Sequence, residues 1–393
     1  MKCILQKRIV SKIAICVFVI LVGCKGNQNS KKNVTDYSSI PNFSTKEIRV
    51  NQLMGIDSLK IDGKKMSMVG NFFIHQDSLY FADCILTSVL VYDKDGHYVR
   101  SIYKKGRGPM ELSGLDVMTV LPSGDFVIMD EQWGITVCDT VWNKVKTFML
   151  EWKSTKSLEE LRRNPDPQDS GIYEVEYTKN KICAYGEQRV IFPITTEAMN
   201  LNAFEGQGTR RYYDESYTLA ILSLQSGAVE KMICRFSPVY KKYTYLPNLK
   251  NVLFETEGNE LYYSFEVDPL IYKMNLADST VTSFGEAGLG MNTNYRETTL
   301  FEDAERYKTE DIENYGYYRY LRYIADENVL FRGYRKGKGM KDGLQVYSEN
   351  CLIADIEVPR DFEVIGYIAP WFYARGFCNY DNEEIVIYKF KLE

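Results

Sequence analysis

A strand-and-turn unit recurs along most of this chain. Its clearest copy is SLYFADCILTSVLVYDKDGHYVRSIY, where three runs rich in Val, Tyr and Phe cover residues 79–83, 89–92 and 98–103. Asp95 and Gly96 separate the last two runs and form a favoured hairpin tip, because glycine accepts a positive φ. With MSMVGNFFI (66–74) in front of it, the unit predicts a four-stranded antiparallel meander.

Six copies of this unit follow one another. Their second strands are centred on Tyr80, Phe126, Val190, Leu261, Leu330 and Phe372. The shortest spacings match the roughly 40 to 50 residues of one propeller blade, and the longer ones imply insertions. The sequence therefore predicts an all-β fold, a six-bladed β-propeller of four-stranded antiparallel blades. A pair of β-sandwiches, or a seven-bladed ring that counts residues 151–180 as a blade, are the alternatives.

The last copy supplies only three strands before the chain ends. At the other end, STKEIRV (44–50) has a strand pattern and no partner within its own unit. We predict that it pairs with residues 385–392 and closes the last blade, because ring closure protects sheet edges. FEDAERYKTEDIEN (301–314) is the one segment with a convincing helical pattern, and it predicts a short inserted helix that either caps the rim or covers the central mouth.

The N-terminus has the pattern of an export signal. Lys2, Lys7, Arg8 and Lys12 precede the apolar run 13–22, which is too short to span a bilayer comfortably. LVGC (21–24) resembles the lipobox of bacterial lipoproteins, and this resemblance implies an acylated Cys24. We therefore predict a signal peptide at 1–23, a flexible tether at 24–41 and a propeller at 42–393. A transmembrane anchor or an ordinary signal peptide is the alternative.

Charge and metal-ligand content narrow the function classes. The net charge of -5 argues against a nucleic-acid partner. The chain has two histidines and no CxxC pair, so we predict no metal site and no cofactor. The cysteines outside the signal and lipobox lie mostly in apolar runs, which favours buried thiols, although export leaves a disulfide open. They are Cys84, Cys138, Cys183, Cys234, Cys351 and Cys378.

Long insertions are expected on one face of the propeller. In the predicted register, segments 151–171, 195–216, 237–250, 286–316 and 335–343 all join second to third strands or one blade to the next. Such connections share one face, and long ordered loops on a rigid scaffold often carry binding sites. KKGRGPMEL (104–112) lies there too. It lacks the spacing of a phosphate-binding loop, so it predicts a structural corner, with ligand contact by Arg107 or Glu111 as the alternative.

The lipobox, the six-blade pattern and the Gly-x-Gly-Pro-x-Glu corner at 106–111 together resemble the six-bladed propeller lipoproteins common in Bacteroidota, relatives of NHL-type propellers. This resemblance covers nearly the whole mature chain. It implies a cell-envelope propeller and supplies no catalytic residue. The long charged insertion at 291–315 departs from the family pattern, which puts any shared ligand in doubt.

Basic and aromatic loop residues are the candidate ligand-binding set. Arginine suits carboxylate, sulfate or phosphate, and aromatic rings suit sugar faces. Ordinary solubilising charge is the alternative. The set is Arg107, Glu111, Trp133, Arg210, Arg211, Tyr212, Arg335 and Lys338.

These features predict an envelope lipoprotein, held on the lipid bilayer by acylated Cys24, whose loop face binds a glycan, a peptide or a partner protein. No catalytic residue is assigned. The alternative is a lyase or hydrolase with its site in the central funnel. Lys25 after the lipidated cysteine, and a tether without an early acidic run, predict an outer-membrane location facing the periplasm.

Overall fold

The computed structural model is built around six β-sheets and describes residues 37–62, 65–178, 181–204, 209–243, 245–339, 341–379, 381 and 384–392. The predicted signal peptide, the lipobox and Cys24 therefore lie outside the described residues.

The strands are β1 (Thr45–Lys46), β2 (Leu53–Asp62), β3 (Gly70–His75), β4 (Ser78–Asp83), β5 (Ser88–Asp93), β6 (Tyr98–Ile102), β7 (Val117–Val120), β8 (Phe126–Met129), β9 (Gly134–Cys138), β10 (Lys144–Met149), β11 (Glu174–Val175), β12 (Cys183–Tyr185), β13 (Arg189–Thr195), β14 (Tyr217–Ser223), β15 (Val229–Arg235), β16 (Val252–Glu257), β17 (Glu260–Phe265), β18 (Ile271–Asn275), β19 (Val281–Phe284), β20 (Tyr317–Ile324), β21 (Val329–Arg335), β22 (Lys341–Ser348), β23 (Cys351–Pro359), β24 (Glu363–Ile368), β25 (Trp371–Asn379) and β26 (Glu384–Leu392). The helices are α1 (Leu158–Arg163), α2 (Thr209–Glu215), α3 (Val239–Lys242) and α4 (Phe301–Asn314).

Each sheet is one blade of a ring. Blades 1 to 5 are β3–β6, β7–β10, β12–β15, β16–β19 and β20–β23, and blade 6 is β24–β26 with β2 as its outer strand. The innermost strand of each blade contacts that of the next, and β24 contacts β3, so the ring closes. The predicted six-bladed propeller, closed by an N-terminal strand, is confirmed.

An apolar cluster fills each of the six interfaces between neighbouring blades. Between blades 1 and 2, for example, Tyr80 packs with Phe126 and Trp142, whose ring centroids are 3.8 Å apart. A pair of sandwiches would instead have one core between the two sheets of each sandwich. The six separate interfaces therefore exclude that alternative.

Burial along a blade explains the apolar runs of the sequence. Strands β4 and β5 are buried at nearly every position because neighbouring blades cover both of their faces, whereas the outer strand β6 buries only Ile102. A continuous short apolar run is the pattern of a strand buried on both faces. At the predicted hairpin tip, Asp93 Oδ1 accepts hydrogen bonds from the backbone N–H groups of Asp95 and His97, and Gly96 has a φ of 87°.

The strand that closes the ring is not the predicted one. Strand β2 pairs with β26, with Leu53 opposite Leu392 and Asp62 opposite Glu384. The predicted segment 44–50 contributes β1, which adds a parallel strand to the outer edge of blade 5. As an outermost strand, β2 leaves most of its side chains in solvent. Its sequence therefore lacks the apolar pattern that identifies the inner strands.

Residues 37–50, the N-terminal strap, run along the outside of the ring. The Tyr37 hydroxyl donates to the Arg235 carbonyl of blade 3, and its ring packs edge-on against Tyr272 of blade 4 at 4.9 Å. The Pro41 carbonyl accepts from the Ser283 N–H at 2.8 Å. Within the described residues, the strap therefore packs on blades 3 and 4 from Tyr37 onwards. The tether boundary at residue 41 stays a prediction.

The long insertions lie where the register placed them. Every segment predicted as an insertion joins a second to a third strand or one blade to the next, which defines the loop-rich face. The described residues of this region, 151–178, contain α1, a short 3-10 turn and β11, and β11 extends blade 3, so they make no seventh blade. Helix α4 has the predicted bounds and packs on the loop 246–249, where Asn248 Nδ2 donates to the Ala304 carbonyl and to Asp311 Oδ2, both at 3.0 Å.

Candidate functional site

The KKGRGPMEL corner is held together by Glu111. Its Oε2 accepts from the N–H groups of Arg107 and Gly108 at 2.9 and 2.8 Å, and Lys104 Nζ lies 3.3 Å from Oε1. These contacts, the Gly108 hydrogen bond first, lower the pKa of the Glu111 carboxyl group. A Cβ atom at Gly106 would lie 2.2 Å from Glu111 Oε2, so a larger residue there would displace the Glu111 carboxylate. These contacts favour a structural corner, and ligand contact by Arg107 or Glu111 stays a prediction.

The arginines of α2 are engaged by acids one helical turn away. Arg210 Nε lies 2.9 Å from Asp214 Oδ2, and Arg211 Nε lies 2.9 Å from Glu215 Oε2. Tyr212, predicted as an aromatic platform, is buried in the core between blades 3 and 4, with its hydroxyl 3.2 Å from Thr195 Oγ1. Helical periodicity turns this ring inwards, so Tyr212 does not form an exposed ligand surface.

Arg335, another member of the predicted basic set, is engaged by two aspartates. Its side chain is buried, with Nη2 2.7 Å from Asp361 Oδ1 and Nε 3.2 Å from Asp342 Oδ1. Lys338 is exposed on the same loop. Trp133 is half-buried in a turn with a φ of 66° and packs against the cluster between blades 2 and 3. As ligand contacts, Lys338 and Trp133 stay predictions.

A cavity inside the ring is lined by none of the eight predicted ligand-binding residues. Its volume is about 440 Å³, and its walls come from the inner strands of blades 1, 2, 4, 5 and 6 and from the residues just before the inner strand of blade 3. Cys84 after β4 and Arg375 of β25 complete the lining. Inner strands begin at the loop-rich face, because the blade-to-blade connections lie there. The cavity is therefore the half of the central channel nearer that face, and we call it the channel mouth. Its charged lining is Asp116, Lys181, Arg319, Arg322, Glu363 and Arg375.

Glu255, behind this lining, is the counter-ion of two of its cations. Glu255 Oε2 lies 3.0 Å from Lys181 Nζ and 3.2 Å from Arg322 Nη1. Burial alone would raise the pKa of this carboxyl group, but the two cations outweigh burial and lower it. Glu255 is therefore ionised at neutral pH. The side chain of Arg322 keeps 25% of its surface accessible, and its buried Nε has no hydrogen-bond partner within the described residues.

Arg319 belongs to a second charged group in the same wall. Its Nη1 lies 3.1 Å from Asp342 Oδ2, and its Nη2 lies 3.4 Å from Asp361 Oδ1. Arg335 shares both aspartates, so two cations alternate with two anions. Burial opposes the charged form of Arg319, but Glu363 and the two aspartates outweigh it and raise the pKa of the guanidinium. This network fixes the position of Arg319 at the channel mouth.

Glu363 and Arg375 face each other on adjacent strands of blade 6. Directly opposed residues in an antiparallel pair point to the same side of the sheet, and both line the channel mouth. Arg375 Nη1 donates to the Gly70 carbonyl at 3.2 Å, which joins blade 6 to blade 1. The Glu363 carboxylate has no hydrogen-bond partner within the described residues. Glu363 is thus an acceptor open to a ligand.

The thiols beside the channel are poor nucleophiles. Burial, with neighbouring acids, raises the pKa of Cys84 to about 12, and burial raises that of Cys183 to about 12. A thiol with such a pKa is protonated at neutral pH. The six cysteines within the described ranges are all free, and those ranges hold no group of three His, Cys, Asp or Glu side chains able to bind a metal ion. What the channel mouth supplies is hydrogen-bond donors, carboxylate acceptors and apolar walls.

Sequence reasoning missed the channel mouth because it looked for ligand-binding residues in loops. Arg319 and Arg322 lie within YYRYLRYI, the inner strand β20, where a bulge between Tyr318 and Tyr320 shifts the register. A bulge re-aims a side chain relative to its strand. The available signal was the pair of arginines inside an otherwise aromatic strand that follows a long insertion, a position that opens on the channel.

Comparison with known proteins supports the fold but indicates no activity. No protein-family model matches the chain, and no curated protein matches it at a significant level. A member of the duf4221 family from Bacteroides vulgatus superposes with a TM-score of 0.64 and 10% identity, over 88% of this chain and 99% of that one. A candidate exported protein from Bacteroides fragilis superposes with a TM-score of 0.51 and 13% identity, over 90% of this chain and 99% of that one. Within the described ranges no helix is long and apolar enough to cross a bilayer. The chain is similar to both proteins as a six-bladed propeller.

Proposed function

We propose that this chain is an envelope lipoprotein whose channel mouth binds a small ligand bearing a carboxylate, derived from a glycan or a peptide. The observation that carries the proposal is the convergence of Lys181, Arg319, Arg322 and Arg375 on one cavity at the loop-rich end of the channel. Guanidinium groups bind carboxylates through paired N–H donors. A cavity of about 440 Å³ is within the usual range for small-ligand sites.

The envelope part of the proposal is supported by the residues around Cys24 and by the candidate exported protein of similar fold. We propose that acylated Cys24 holds the protein in the outer membrane with the propeller in the periplasm. A Cys24→Ser protein is expected to lose incorporation of labelled palmitate and to leave the membrane fraction. Protease added to intact cells is expected to spare the parent protein; its removal would contradict the periplasmic orientation.

Ligand binding is tested on the body from Tyr37 to Glu393. Glucuronate, N-acetylmuramate and short peptides with a free C-terminus are expected to raise the melting temperature, whereas glucose and C-terminally amidated peptides are not. Replacing Arg322 with Gln should weaken carboxylate binding about tenfold or more, because a charged hydrogen-bond donor at the site is lost. Binding should also weaken as salt is added.

The matched control is Arg189→Gln, which removes a guanidinium from an exposed pair with Glu230 on blade 3. Binding by this variant should equal that of the parent. If Arg322→Gln proves too unstable to measure, Arg375→Gln tests the same wall from blade 6. Failure of every carboxylate probe to bind the parent protein would refute the proposed function.

A further inference from the structure

The channel mouth contains a carboxylate, that of Glu363, to which the carboxylate of an anionic ligand could not donate a hydrogen bond. Glu363 lines the cavity beside Arg375, and its carboxylate has no hydrogen-bond partner within the described residues. Two carboxylates behind this wall are engaged: Glu255 by Lys181 and Arg322, and Asp342 by Arg319 and Arg335. Asp116, the other acidic residue of the lining, also has an interaction partner. Glu363 therefore differs from its neighbours in being open on the cavity side.

A purely anionic ligand would be repelled by this carboxylate. A ligand that places a cationic donor there, and a carboxylate against the arginines, would satisfy both signs of charge. The buried Nε of Arg322 has no hydrogen-bond partner in the part of the chain that the structure describes, and Arg322 and Glu363 interact electrostatically. Charge-assisted hydrogen bonds of both signs are stronger than neutral ones. The arrangement thus fits a small zwitterion better than an anion.

Part of the remaining lining is apolar. Phe73, Met118, Ile182 and Phe254 contribute to the walls of the same cavity. Apolar walls with a few convergent charged groups are the usual composition of a site for an amphiphilic small molecule. They would surround the side chain of the ligand, while Glu363 and the arginines hold its polar head.

We infer that the channel mouth selects an α-amino acid head group, with the ligand ammonium at Glu363 and its carboxylate at the arginines, and with an apolar side chain against the cavity wall. This inference rests on the proposed carboxylate site and narrows it to one ligand class. Glu363 is a specificity-determining residue in this assignment. Free α-amino acids, as L or D enantiomers, are the smallest ligands in which one carbon atom bears both charged groups.

The test compares matched ligands on the parent protein by calorimetry. Phenylalanine and leucine carry both charges; 3-phenyllactate and 2-hydroxyisocaproate replace the ammonium by a hydroxyl; N-acetylphenylalanine blocks it; phenethylamine lacks the carboxylate. The expected result is binding of phenylalanine or leucine about tenfold or more tightly than its hydroxy-acid counterpart, with N-acetylphenylalanine and phenethylamine weaker still. Glu363→Gln should remove this preference while retaining hydroxy-acid binding.

The outcomes separate the two proposals. Equal binding of zwitterions and hydroxy acids by the parent protein would overturn the amino-acid assignment and leave the carboxylate site standing. Binding of glucuronate or N-acetylmuramate without detectable binding of phenylalanine or leucine would do the same. If no carboxylate probe binds, the proposed function itself fails. The comparison among ligands uses the parent protein, so it stays decisive even if Glu363→Gln does not fold.

Discussion

A protein that begins after Asp62 is expected to lose the propeller fold, because it lacks the strand that closes the ring. It would expose the edge of β26 along its nine residues and would lose Ile61, which is fully buried between blades 6 and 1. An unpaired strand edge is a template for aggregation. We expect aggregates, or a soluble fraction without a cooperative melting transition, in thermal unfolding followed by circular dichroism.

The control for this truncation begins at Ile48 and retains β2. It loses Tyr37 and β1 from the N-terminal strap but keeps Val50, which is buried between blades 5 and 6. Burial of one aromatic side chain stabilises a fold by about 2 to 3 kcal/mol, so this protein should still unfold cooperatively at a lower temperature. Parent-like melting of the shorter protein would contradict ring closure by β2.

The architecture was predictable because every blade has the same pattern of buried inner strands. Strands such as β4 and β5 are covered on both faces, so nearly all of their side chains are apolar. Six groups of such apolar strands along the sequence therefore predict six blades. The tight turns add a second signal, as at Gly96. The position of every long insertion on one face then follows from topology alone.

The closing strand was not predictable from the same signal. Strand β2 is covered by β26 along one edge and exposes most of its side chains, so its sequence carries polar and apolar residues without period. Segment 44–50 has a clearer strand pattern and yet supplies only the two residues of β1. The pattern of apolar residues in a sequence reflects burial. Because an outer strand is scarcely buried, its sequence lacks that pattern.

The candidate site was missed for a related reason. Charged residues in loops were weighed as ligand contacts, but the acids that engage Arg210 and Arg335 are within one helical turn or on a neighbouring strand. Arg319 and Arg322 lie in an inner strand, where a sequence does not reveal whether a side chain faces a blade or the channel. Only the closed ring brings them together with Lys181 and Arg375.

Arg332 is the counter-example, an arginine of β21 whose role is structural. It has no accessible surface. Its Nη1 donates to the Pro269 carbonyl at 2.9 Å, its Nη2 to the Glu286 carbonyl at 2.6 Å and its Nε to Gln345 Oε1 at 2.9 Å, and the guanidinium carbon lies 3.9 Å from the centroid of the Tyr318 ring. These contacts join blade 5 to the two loops that flank the outer half of blade 4.

Replacing Arg332 with Met is therefore expected to destabilise the fold by about 3 to 5 kcal/mol, since buried carbonyl groups lose their donors. The melting temperature should fall by on the order of 10 °C. The matched control, Arg189→Met, breaks only the exposed pair with Glu230 and should change stability by less than about 1 kcal/mol. Urea unfolding of both variants checks the difference. Equal stability of the two would mean that water replaces the guanidinium within the blade, and that the loops of blade 4 are held by other contacts.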